Sequence, residues 1–357
     1  MSPSEQPDEP EPAPRRRVRY RGTHPRRFGQ KYKERDEQRY PESVAKVIAS
    51  GKTPAGSHRP ICLSEILDVL TPAPGEIGVD ATLGHAGHAL ELVARVLPGG
   101  RLIGLDTDPL ELPRAEARLR AAGYDGSAFV AVHANYAAIA SVVAAQGVPA
   151  VEFVLADLGC SSMQLDNPER EFSYKHDGPL DLRMNPTRGA PASEFIAMLS
   201  TEQIETLLRE VSDETHAPAI ARAIVRARTA RPIRTTAQLA AVVSASVPRS
   251  EDGTGALART FQALRIAVND ELGALDALLR ALPWCLAAGG RVAILSFHSG
   301  EDRRVKHAFQ AGLRDGIYSE IANEVIRPSK VEVSANSRAA SAKLRWARRA
   351  AEGKAVS

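Results

Sequence analysis

Three aspartates stand where short apolar runs end: Asp80 after Ile77-Gly78-Val79, Asp106 after Arg101–Leu105, and Asp157 after the run that opens at Val151. In an open α/β sheet, ligands bind beyond the carboxyl ends of the strands. Acids at three successive strand ends therefore point to one ligand site, although any single one can serve as a helix cap. Asp80 precedes a glycine turn, Leu83-Gly84-His85-Ala86-Gly87-His88. Such a turn brings backbone close to a ligand and offers amide donors from a helix start. Its spacing is not GxGxxG, which counts against a dinucleotide. An acid ahead of the glycines suits a cation better than a pyrophosphate. S-adenosylmethionine, with a sulfonium and an ammonium, fits; a tight βα turn with no ligand is the other reading. In Leu105-Asp106-Thr107-Asp108-Pro109, Asp106 is placed to bond both ribose hydroxyls of a nucleoside, and Asp108 to cap the helix that Pro109 begins. Tyr136, in His133-Ala134-Asn135-Tyr136, either stacks on an adenine or belongs to the core.

The elements that must position these groups alternate. A helix is expected over Leu63–Leu70, with apolar residues at helical spacing, ended by Pro72, Pro74 and Gly75. Strands are expected at Ile77–Val79, Arg101–Leu105, Phe129–Val132 and Val151–Leu155, with helices at Ala89–Leu97 and Pro109–Ala121 between them. Wholly apolar strands alternating with helices indicate a parallel sheet covered on both faces. Residues 166–190 read as an ordered loop, and residues 194–280 as almost entirely helical. Ser200 with Gln203, and Thr235 with Gln238, have capping-box spacing. One long helix is expected through Phe261, Leu264, Val268, Leu272 and Leu275. Strand character returns at Arg291–Phe297, Ser299 is the expected cap of the next helix, and Ser341–Ala347 alternates as a last strand. The fold class is thus α/β, with a helical block interrupting the sheet.

The chain has 357 residues, 43% hydrophobic and 25% charged, which excludes a fibrous or wholly disordered chain. No apolar run is long enough for a membrane span. Three scattered cysteines exclude a disulfide framework or a CxxC zinc site, and no metal is expected. The polar N-terminus carries no secretory pattern, so the cytoplasm is the expected location. Residues 1–14 sum to −4, residues 15–39 to +8 and residues 338–357 to +5, leaving about −6 between 40 and 337. Basic ends suit contact with a polyanion, or simply a solvated tail. Residues 1–57 are too polar to pack and read as a basic arm; a short helix at Pro41–Ser50 is the only element expected there.

Many separate stretches now fall into one known order. They include Asp80–His88, Leu105–Pro109, Asp157–Asp166, Asp177–Met184, Arg259–Ile266, Ser296–Arg303 and Asn336–Arg338 with Ser341–Arg345. Together they resemble the ribosomal RNA small subunit methyltransferase H family, which methylates N4 of a cytosine in 16S rRNA. The resemblance covers nearly all of residues 58–347. It implies a Rossmann-like class I methyltransferase sheet with a helical insertion domain: 58–165 and 259–357 as the methyltransferase domain, 166–258 as a substrate-recognition insertion. It implies S-adenosyl-L-methionine as cofactor, with Ala86, Gly87, His88, Asp106, Tyr136, Asp157 and Gln164 at the donor. The implied partner is 16S rRNA in the small ribosomal subunit, with no membrane; a homodimer is compatible with the sequence. The chain departs from the family pattern at several points. Ala86 stands where glycine is usual and Gly300 where leucine is usual. Glu171 replaces a glycine, Val211-Ser212-Asp213-Glu214 replaces Tyr-Gly-Glu-Glu, and Cys160 and Met163 replace valine and proline.

Cytosine N4 is a poor nucleophile because its lone pair is delocalised into the ring. Alignment with the methyl group supplies most of the required effect, and acceptance of the amine's proton the rest. Asp157 is the first candidate acceptor; Asp181 and His298 are the second, each with a structural role as its alternative. The target base must leave its stack. Arg170, Lys175, Arg183 and Arg188 are candidates for phosphate contact, or for surface ion pairs. Two rival functions stand beside the first: the same fold acting on another nucleic acid or small substrate, and a non-catalytic RNA-binding or ribosome-assembly protein.

Overall fold

Strands that are apolar on both faces need cover on both, and this sheet has it. In a computed structural model of the chain, the structure describes residues 60–160, 172, 174, 177–248 and 253–351. The N-terminal arm with its Pro41–Ser50 helix, Gln164, Arg170, Glu171 and Lys175 lie outside the described residues. The elements run α1 (Leu63–Leu70), β1 (Ile77–Asp80), α2 (Gly87–Val96), β2 (Arg101–Asp106), α3 (Leu112–Ala121), β3 (Phe129–His133), α4 (Ile139–Ala145) and β4 (Val151–Asp157). Five helices follow: α5 (Ala192–Met198), α6 (Thr201–Ser212), α7 (Ala217–Ala230), α8 (Thr236–Ser246) and α9 (Gly253–Val268). The chain then returns through α10 (Glu271–Cys285), β5 (Leu286–Ser296), α11 (Ser299–Arg314), β6 (Tyr318–Ile321), α12 (Lys330–Ala335) and β7 (Lys343–Arg349).

The seven strands lie in the order β3-β2-β1-β4-β5-β7-β6. β1 to β5 pair in parallel, and β7 is antiparallel to both β5 and β6. This is the Rossmann-like class I methyltransferase sheet expected from the sequence. Its chain reversal, where β1 leads outward to β2 and β4 starts the other half, opens a crevice at the carboxyl ends of β1 and β4. One face buries Val79, Ile103, Val154 and Ile294 against α4, α10 and α11. The other buries Leu102, Phe153, Leu155 and Leu295 against α1, α2 and α3. Gly78 sits in β1 because the Phe153 ring crosses it: a Cβ there would meet the ring at about 2.0 Å. A third core, from Leu180 to Leu264, belongs to the helical block. Both expected capping boxes, Ser200 with Gln203 and Thr235 with Gln238, form there.

Four boundaries differ from the sequence reading, each for a local reason. The helix expected from Pro109 starts at Leu112, because Asp108 Oδ1 accepts from the amides of Leu110 and Glu111 and holds the chain in a turn; Pro113 takes the first helical turn instead. The single long helix through Leu275 is two helices, broken at Asp270, whose φ of 47° is left-handed. β5 begins at Leu286, ahead of Gly289 and Gly290, with an irregularity in its pairing to β4. The cap position before α11 is His298 rather than Ser299. The Ser299 hydroxyl instead donates to Asp213 Oδ2 at 2.7 Å, tying α11 to the end of α6.

Arg291, buried in β5, fastens α1 to the sheet. Its guanidinium donates to the carbonyls of Leu70, Thr71 and Glu152 and to both Glu76 carboxylate oxygens. A buried cation in this setting has every hydrogen placed.

Candidate active site

Ladder register brings the three aspartates to one edge. Asp80 pairs with Gly104 in β2 and Leu155 in β4; Asp157 pairs with Leu295 in β5. Thr82 links the first and third: its amide donates to Asp80 Oδ1 at 3.1 Å, and its hydroxyl accepts from the Asp157 amide at 2.6 Å. Asp106 holds the glycine turn from the other side, accepting from the Gly84 amide through Oδ2 and from the Asp108 amide through Oδ1, both at 2.8 Å. The carboxylates stand close together at the sheet edge, and their acidities respond. Burial, with the Asp106 charge in support, pushes Asp80 up to about 7. Burial pushes Asp106 up to about 6. Burial, then the charges of Asp80 and Glu301, pushes Asp157 up to about 8. Functional sites commonly perturb clustered acids in this way, as structural ion networks also do. What would relieve it is a cation.

The loop expected at the donor runs from β1 into α2. Ala86 takes the cap position of α2 with φ 60° and ψ 24°, a left-handed conformation that explains why glycine is usual there. Its methyl is fully buried within the second core. Gly87 opens α2. His88 is buried, with Nε2 3.1 Å from the Ile61 carbonyl and Nδ1 3.7 Å from Asp157 Oδ2. With Nε2–H donating to the carbonyl, Nδ1 faces the Asp157 carboxyl. Through His88 the residues just before α1 are therefore tied to the Asp157 end of the sheet. Tyr136 packs against the first core, and its hydroxyl donates to the Glu271 carbonyl at 3.2 Å. The structure thus meets the core reading of Tyr136. These residues fit S-adenosylmethionine: carboxylates for positive charge and ribose hydroxyls, and a glycine turn for close approach.

The other two acceptor candidates are otherwise engaged. Asp181 makes a bidentate pair with Arg183, whose Nε and Nη2 each lie 2.7 Å from its carboxylate oxygens. Arg183 also donates to the Gly189 carbonyl. The sequence reading of Arg183 as a phosphate contact gives way to the ion-pair alternative. Their loop is pinned to the start of α10, since Asn269 bonds the Met184 amide and the Leu182 carbonyl. His298 Nε2 lies 3.1 Å from Glu301 Oε1. A Cβ at Gly300 would come within 3.2 Å of the His298 ring, so the missing leucine gives that ring its room.

Sequence reasoning left a buried ionic set near Asp157 unassigned. Glu301 is 3% exposed and accepts from the Phe297 amide. Although burial opposes it, contact with His298 and the Arg265 charge hold its carboxyl below the ordinary range. Arg265 pairs with Glu271 through two 2.8 Å bonds, both residues nearly buried. The only signal in the sequence was the three-residue step from His298 to Glu301. Among the described residues one group has metal-donor spacing, Cys62 with Glu65 and Glu332, all within 4.8 Å. Burial and those acids push the Cys62 thiol up to about 12, which keeps the proton a metal would have to displace.

Comparison with known proteins adds what geometry alone does not. A family model described as the MraW methylase family matches residues 55–350. A protein of Alkaliphilus metalliredigens called ribosomal RNA small subunit methyltransferase H 2 is 48% identical, over 93% of this chain and 97% of that one. One of Lachnoclostridium phytofermentans called ribosomal RNA small subunit methyltransferase H 1 is 46% identical, over 94% and 93%. With a match across so much of its length, and a sheet whose acids converge on one crevice, the chain belongs to the MraW methylase family.

Proposed function

We propose that the protein transfers a methyl group from S-adenosyl-L-methionine to the exocyclic N4 of a cytosine in 16S rRNA, within the small ribosomal subunit. The observation that carries this reading is the convergence of Asp80, Asp106 and Asp157 at one sheet edge beside a glycine turn. Relatives named for methylation of small-subunit rRNA support the substrate. Among the described residues no helix is long and apolar enough to cross a membrane; we assign the cytoplasm, where ribosomes are assembled.

S-adenosylmethionine, when bound, supplies an electrophilic methyl carried on a sulfonium. The chain's own residues do the rest by placement and charge. Asp106 has lone pairs left beyond its two backbone bonds, which would take the ribose hydroxyls. Asp80, Gly87 and His88 would hold the methionine moiety and Tyr136 the adenine, and Gln164 belongs with them by family resemblance. Asp157, whose side chain is 27% exposed, stands where the base would enter. There it accepts a hydrogen bond from the amine, orienting it, and afterwards holds its proton. Positioning at about 3–3.5 Å accounts for most of the acceleration. His298 and Asp181 act less directly: His298 through Glu301, Asp181 by ordering its loop through Arg183.

A base inside a helix cannot reach this edge, so the cytosine must be unstacked. The helical block, 166–258 by its sequence and carried on through α9 by a core that reaches Leu264, is the substrate-recognition unit; that separate core supports the role. The decisive experiment is mass analysis of 16S rRNA from a deletion strain, complemented with wild type or Asp157→Asn. Loss of one N4-methyl on cytosine, restored only by wild type, is expected. An unaltered rRNA in the deletion strain would refute the assignment.

A further inference from the structure

Between Thr215 and Ser250 the chain contains six arginines and no acidic residue, although the middle of the protein is acidic overall. Five of the six lie on α7 and the turn that follows it, and the structure sorts them by direction. Successive residues turn by about 100° around a helix. The buried side of α7 is set by Ala217, Ile220, Ala221 and Ile224. Arg228 falls on that side and donates inward to the carbonyls of Ile196 and Leu199. Arg222 and Arg226, one turn apart, fall on the opposite side and are exposed, as are Arg231 and Arg234 beyond the helix end.

Elsewhere in the described residues arginines tend to find carboxylates. Arg95, Arg114, Arg120, Arg183, Arg209, Arg259, Arg265, Arg291, Arg304, Arg345 and Arg348 each pair with an acid. None of the four outward arginines does so among the described residues. Four guanidinium groups within thirteen residues repel one another. Long side chains on a solvated face gain nothing from that arrangement. A polyanion supplies what the protein withholds, because the arginine fork matches a phosphate.

We propose that Arg222, Arg226, Arg231 and Arg234 form a face that grips the RNA phosphate backbone and holds the strand while its base enters the crevice. This deepens the rRNA reading and rests on it. It also relocates the grip: Arg183, a candidate from sequence, is spent on Asp181, whereas these four are not.

The test is binding of a labelled single-stranded RNA fragment spanning the modified cytosine, followed by fluorescence anisotropy over a range of salt. The slope of log affinity against log salt falls by about 0.7 for each phosphate of a single strand that is no longer neutralised. The variant with all four arginines replaced by glutamine is expected to lower that slope by roughly two to three and to weaken binding at least tenfold. Its melting temperature and its S-adenosylmethionine affinity should match wild type, because none of the four touches the crevice. Arg280→Gln with Arg303→Gln, exposed cations outside this face, serves as the control and should leave the slope alone. An unchanged slope in the fourfold variant, or an equal loss in the control, would overturn the proposal. If wild type methylates the rRNA while the fourfold variant binds normally, only the arginine face fails. A wild type that binds donor but no RNA would sink the face and the rRNA substrate together.

Discussion

Binding of the methyl donor should expel protons, and the number follows from the three carboxylates. With Asp80 at about 7, Asp106 at about 6 and Asp157 at about 8, the ligand-free cluster holds roughly two protons at pH 6 and roughly one at pH 7.5. A ligand whose positive charge sits among these groups favours their ionised forms. Full ionisation would release all of those protons, so they are the upper limit. Affinity then rises with pH, because the bound state carries fewer protons than the free one; linkage sets the slope of log affinity at about one to two per pH unit in this window. The window stops near pH 7.5 because the ligand's own ammonium begins to titrate above it. Calorimetry with S-adenosylmethionine in buffers of different ionisation enthalpy counts the protons directly. Release of about one proton at pH 7 to 7.5, increasing toward pH 6, is the expected result. Zero release, or uptake, would mean that the three acids do not surround the ligand's charge.

Asp106→Ala should weaken donor binding by about 1.5–3 kcal/mol, the scale of hydrogen bonds to a charged group, and titration calorimetry reads it. Asp80→Asn should stabilise the free protein. The folded carboxyl is raised from 3.8 to about 7, so the charge opposes folding increasingly as pH climbs through that interval; the variant's gain should be full above pH 7 and absent below about pH 4 in urea melts. Ala86→Gly should be nearly neutral, within about 1 kcal/mol. Relief of left-handed strain, about 1–2 kcal/mol, is offset by a lost buried methyl at about 0.8 kcal/mol and a freer unfolded chain. Donor affinity should stay within about twofold, and a larger rise would show that the methyl intrudes on the ligand. Arg291→Met should cost about 3–5 kcal/mol, because Glu76 and three carbonyls lose a shared partner; thermal melting checks it.

The parallel half of the sheet was readable because its strands are apolar throughout and end on aspartates, and strand ends are where such folds place ligands. The glycine turn and Asp106 were readable for the same reason. What escaped depends on side-chain geometry rather than pattern. Asp108 delays α3 by bonding amides that helical periodicity assumes are free. Asp270 splits a continuous apolar stripe with a left-handed residue, which no hydrophobic spacing records. Glu301, Arg265 and Glu271 look like surface charges, since such residues are almost never fully buried unless paired; their pairing is visible only when α9, α10 and α11 meet. The direction of the α7 arginines was encoded in the helical period, but needed the buried side to be known.

The position of β7 constrains how this protein can be made. It is the last strand of the described chain, yet it sits between β5 and β6 rather than at a margin. Until Lys343–Arg349 has been synthesised, β5 presents a row of unpaired amides and carbonyls, and β6 has nothing to pair with. A nascent chain still on the ribosome is therefore open at a bare seam of the kind that recruits other strands. Premature termination before residue 343 would yield a product prone to clump rather than a shortened enzyme.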